Sequence, residues 1–128
     1  IELGKNTFGW KSLKLNFGKK QVTMTVTETN GKSYELPFGY QQWITTTFDS
    51  YPPYSITPID RFKGLEGPYY ASGSYAWISK EELQLKAHYV NWVSALEITF
   101  HLEENGEVKL NVQTNYIKKP YTIIGKIK

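Results

Sequence analysis

The chain has 128 residues, the size of one domain and short for two. Its 40% hydrophobic and 21% charged residues argue against disorder, and 16% aromatic content, with ten Tyr and four Trp, favours sheet. Net charge is +3, from 15 Lys plus Arg against 12 Asp plus Glu, and only Lys19-Lys20 and Lys118-Lys119 are adjacent, too sparse a footprint for a nucleic-acid or lipid surface.

Strand period dominates from end to end, and each pairing can be tested by asking which register sets apolar residues opposite apolar ones. The N-terminal segment offers an additional strand. Leu13, Leu15 and Phe17 then face Val26, Met24 and Val22 across Gly18 to Gln21, which leaves Lys14, Asn16, Thr23 and Thr25 on the wet face. Val22, Met24 and Val26 in turn oppose Phe38, Leu36 and Tyr34 across Thr29-Asn30-Gly31, a three-residue loop with Gly in the left-handed position.

From Gly39 to Tyr70 the rhythm breaks. Trp43 to Phe48 could add a strand, but Pro52-Pro53 and Pro58 forbid regular central-strand pairing beyond it. A long aromatic-rich insertion of this kind covers the end of a barrel or forms a contact surface. Its candidate surface is Tyr51, Tyr54, Arg61, Tyr69 and Tyr70, since exposed aromatic and Arg side chains anchor interfaces. Asp60-Arg61 reads as a local ion pair that anchors the loop.

The rhythm resumes at Ala71. Tyr75 and Trp77 meet Leu85 and Leu83 around Ser79-Lys80-Glu81, which makes core packing the expected role of both rings, and Gly73 in the same row marks a bend or close backbone approach. With a reversal near Asn91-Trp92, Leu83, Leu85 and Ala87 oppose Phe100, Ile98 and Leu96. The same register sets Glu82 against His101 and Lys86 against Glu97, so both faces agree. Leu102, Phe100 and Ile98 then face Val108, Leu110 and Val112, at the expense of setting Glu103 against Glu107. A last strand runs from Tyr121 to Lys128 with Ile123 or Ile124 inward. Two meanders, over 12–38 and 71–113, thus predict an all-β, antiparallel up-and-down barrel of about eight strands, because closure hides sheet edges.

Chemistry is harder to find. With no cysteine, disulfides and thiol catalysis are excluded while the redox compartment stays open. None of the eight serines is followed by Lys three residues on, and no Gly-x-Ser-x-Gly elbow occurs. His88 and His101 do not oppose one another, and surface imidazoles explain them better than a metal or general-base site, which needs converging ligands. Glu81-Glu82 and Glu103-Glu104 flank turns, where solvated charge is the ordinary role, and glycoside hydrolysis needs carboxyls facing across a cleft. No metal or cofactor is expected. No apolar run reaches the roughly 18 residues of a membrane helix, and Ile1 without an initiator Met suggests a mature product or a piece of a longer polypeptide.

"ASGSYAW", "EELQLKAHYV", "ALEITFHLEENGEVKL", "LGKNTFGWKSLKLNF", "YELPFGYQQW" and "IIGKIK" occur in an order that resembles the small C-terminal β-barrel domain of β-lactamase-like serine hydrolases, the class C or penicillin-binding-protein-like enzymes. Gly39 to Tyr70 matches least. The resemblance implies a lipocalin-like barrel without catalytic residues, the Ser-x-x-Lys nucleophile and tyrosine base belonging to a preceding domain. It also implies docking on that catalytic domain in the same polypeptide, access control or homo-oligomerisation, and an extracytoplasmic location if the parent is penicillin-binding-protein-like. The alternatives are a carrier that encloses a small apolar ligand and a carbohydrate binder using exposed aromatics.

Overall fold

The computed structural model describes residues 1–48, 69–89, 94–114 and 119–128. These form ten strands: β1 (Glu2–Leu3), β2 (Trp10–Phe17), β3 (Gln21–Glu28), β4 (Ser33–Tyr40), β5 (Ile44–Phe48), β6 (Tyr69–Trp77), β7 (Glu82–Tyr89), β8 (Ser94–Leu102), β9 (Glu107–Thr114) and β10 (Tyr121–Lys126). Among the described residues no helix is long and apolar enough to cross a membrane.

Every hairpin register read from cross-strand matching recurs. Leu13 faces Val26, Met24 faces Leu36, Tyr75 faces Leu85, Leu85 faces Ile98, and Phe100 faces Leu110. One departure lies in β2, where a bulge between Trp10 and Ser12 shifts the alternation, so that Trp10 and Leu13 both turn inward. In β10 it is Ile123 that is buried, while Ile124 is 43% exposed.

The same turn is used at two places. Gly31 and Gly106 adopt φ of 87° and 80°, and the preceding Asn30 and Asn105 side chains accept the Lys32 and Glu107 backbone N–H at 2.8 and 2.9 Å. The facing carboxylates of Glu103 and Glu107 are tolerated because Lys109 Nζ lies 3.1 Å from Glu103.

Closure corrects the expected topology. The strands run in the order β4-β3-β2-β1-β10-β9-β8-β7-β6, and β6 returns to β4 through a short parallel contact, Gly39 to Ser74 and Tyr40 to Tyr75. The result is a mixed barrel of nine strands with β5 outside it, rather than an antiparallel barrel of eight. Direction explains the parallel seam. Neighbours that alternate up and down cannot close a ring of odd number, so one pair must run the same way.

Two glycines make the seam sterically feasible. A Cβ on Gly73 would lie 2.4 Å from the Pro37 carbonyl oxygen, and one on Gly39 would lie 2.4 Å from that of Gln42. Gln41, at φ 52°, reverses the chain, and its N–H donates to the Tyr75 carbonyl at 2.9 Å. β5 then takes over the edge of β6 from Gly73 down to Tyr69. Pro37 is accommodated because β4 has no laddered neighbour on its far side until Gly39.

Inward rows from the nine ring strands fill one continuous cluster around Trp10, Met24, Phe38, Leu85, Ile98 and Leu110. Each large side chain buried there contributes about 1.5–3 kcal/mol relative to exposure. The seam between β1 and β10 pairs Glu2 with Lys126, and the Lys128 ammonium donates to the Glu2 carboxylate across it.

Candidate functional site

The inward row does not end where the core ends. Phe17 closes β2, Tyr40 closes β4 and Trp77 closes β6, all at the end of the barrel where Gly18 to Lys20 turns. By register all three share the inner face with Tyr75. Only Tyr75 is buried, whereas Phe17, Tyr40 and Trp77 are 51%, 45% and 45% exposed. The strand ends overhang the packed interior, so their rings pack on each other and on water.

The rings form a connected set. Phe17 stacks on Trp77 with centroids 6.3 Å apart and meets Tyr75 edge-on at 6.1 Å, while Tyr40 lies 5.4 Å from Tyr75. Ile78, 54% exposed, extends the apolar surface into the turn. Phe17 also borders an open groove of about 450 Å³ lined by Lys19, Lys20, Gln21, Gln42 and Ile44. The arrangement is an aromatic platform with a basic margin.

Trp77 is thus a correction to the expected core. Its register opposite Leu83 is as read, but it is the last residue of its strand, and the described residues leave it 45% exposed. Of the predicted interaction residues, Tyr51, Tyr54 and Arg61 lie outside the described residues, as do Asp60 and the Asn91-Trp92 reversal. Tyr69 and Tyr70 belong to β6, paired with Phe48 and Thr47, so the regular strand begins before the Ala71 expected from sequence. Tyr70 is 41% exposed on the outer face, so the structure does not bring it into the Phe17–Trp77 set. By sequence, Phe17 falls in an inward row and Tyr40 and Trp43 in the aromatic insertion, without joining Phe17 and Tyr40 to Trp77. The available signal for Phe17 and Tyr40 is an aromatic at the terminal position of an inward row.

The two histidines lie apart. His88 contacts the Trp43 ring, with centroids 5.1 Å apart, whereas His101 lies toward the other end of β7 and β8, 3.2 Å from Glu82 and 3.8 Å from Glu103. Among the described residues no group of three or more His, Asp, Glu or Cys is arranged to hold a metal ion. Tyr34 has a strongly perturbed side chain: burial raises its phenol well above the ordinary value, the nearby Trp10 indole partly opposes that, and the Glu28 carboxylate adds to it. It packs against the core cluster that contains Trp10.

Comparison with known proteins found no matching family model, no matching curated protein and no matching solved structure.

Proposed function

We propose that this barrel is a non-catalytic interaction module that docks on the catalytic domain of a β-lactamase-like serine hydrolase, the enzyme class whose C-terminal barrel its sequence resembles. The observation that carries the reading is the half-exposed set of Phe17, Tyr40, Trp77 and Ile78 at one end of the barrel. Large apolar side chains gathered at one place, with Lys19 and Lys20 at the margin, have the composition of an interface anchor with a charged rim. The carrier reading has less support, because the inward rows pack into one continuous cluster of side chains.

The test is association between the barrel and a separately produced catalytic domain of that class, measured by calorimetry. Phe17→Ala and Trp77→Ala together are expected to weaken binding at least tenfold, the effect of losing about 1.4 kcal/mol or more at an anchor. Unchanged affinity in the double variant, or no association in the parent chain, overturns the reading. A stoichiometric apolar ligand extracted from the purified barrel would favour the carrier instead.

A further inference from the structure

A second surface lies on the outer face of β5, β6, β7, β8 and β9. There the register lays out two neighbouring polar rows. One runs Thr45, Ser72, His88, Ala95, and the other runs Ser74, Lys86, Glu97, Gln113. Small side chains in both rows leave the sheet uncovered between longer ones. Two depressions result, one of about 310 Å³ at His88, Ala95 and Gln113 and one of about 150 Å³ at Ser74, Ala76 and Gln84, with Lys86 lining both.

Trp43 stands over this face. Its ring packs against His88, yet it remains 53% exposed. Tyr70, in the outward row beyond Ser72, adds a second ring at 41% exposure.

We propose that this face is a binding site for neutral carbohydrate, a chain of sugar units laid across β6 and β7 beside Trp43. Three features select that chemistry. The face of a sugar ring that carries C–H groups is apolar and faintly positive, and it complements the negative face of an indole. Hydroxyl, imidazole and amide groups in the rows supply both donors and acceptors, as sugar hydroxyls require. Finally, the charges cancel within the site, since Lys86 Nζ lies 3.8 Å from Glu97 and Gln84 donates to the same carboxylate at 2.9 Å. A locally compensated pair gives no net field to attract a strongly anionic or cationic ligand. Thr45 and Ser72 share a hydroxyl hydrogen bond of 2.7 Å, which sets their orientation before any ligand arrives. This site is independent of the Phe17–Trp77 end and does not rest on the docking reading.

The experiment is electrophoresis of the whole chain through gels containing hydroxyethyl cellulose, xyloglucan or galactomannan, with polygalacturonate and dextran sulfate as anionic comparisons. The expected result is retardation by at least one neutral polymer, weakened at least tenfold in Trp43→Ala and unchanged in Trp77→Ala. Ala76→Arg, which fills a depression and leaves Trp43 in place, is expected to weaken binding as well and provides an answer should Trp43→Ala fail to fold. Passage through all three neutral gels without retardation overturns the proposal. So does retardation by the anionic polymers alone, or wild-type retardation of both folded variants.

Discussion

At Gly73 the fold depends on the absence of one carbon atom. A methyl group there would meet a backbone oxygen and the Phe38 ring, neither of which can swing aside, in contrast to the open space around Gly31. Gly73→Ala is therefore expected to destabilise the barrel by about 3 kcal/mol, at the upper end of overpacking effects, as read from urea unfolding. Tyr34 makes a different demand. Its pKa is raised in the folded chain above the unfolded value of 10.0, so the fold favours the protonated phenol. The stabilisation is complete below about pH 10 and is lost as pH rises through the folded value. Urea midpoints measured from neutral to alkaline pH should fall more steeply above about pH 10 in the parent chain than in Tyr34→Phe. Equal slopes would show that the burial of this phenol is not coupled to folding.

Among the elements, hairpins were legible and the closure was not, for a physical reason. Pairs such as Leu85 with Ile98 and Lys86 with Glu97 lie close in sequence and obey one alternation on both faces, so a slip of one residue would turn the core residues outward and set Lys86 opposite Leu96 or Ile98. The β4–β6 contact spans two residue pairs, joins distant segments and depends on Gln41 at positive φ, a residue type that does not announce a left-handed turn. Exposure at strand ends was equally hidden. Alternation assigns Trp77 to the inner face correctly, but whether an inner position is dry depends on how far the opposite wall extends. The β8–β9 hairpin gives a test at this scale. Lys109→Glu would place a third carboxylate beside Glu103 and Glu107, and a loss of about 0.5–1 kcal/mol is expected at low salt, shrinking as salt is added.

The molecule as a whole is joined by contacts between segments remote in sequence, β1 with β10 and β4 with β6. Such closure must be made before it is rewarded, so refolding is expected on the millisecond-to-second scale of all-β domains, and stopped-flow Trp fluorescence measures it. Microsecond refolding would mean that the seams contribute little to the barrier. The odd ring also restricts how such a molecule can diversify. Hairpins come in twos, so a duplicated or deleted hairpin preserves the direction of every remaining neighbour and leaves the seam as it was. Gain or loss of a single strand would either abolish the like-directed join or require another elsewhere. Descendants of this barrel should accordingly differ in size by steps of two, with β5, which lies outside the count, as the piece free to vary alone.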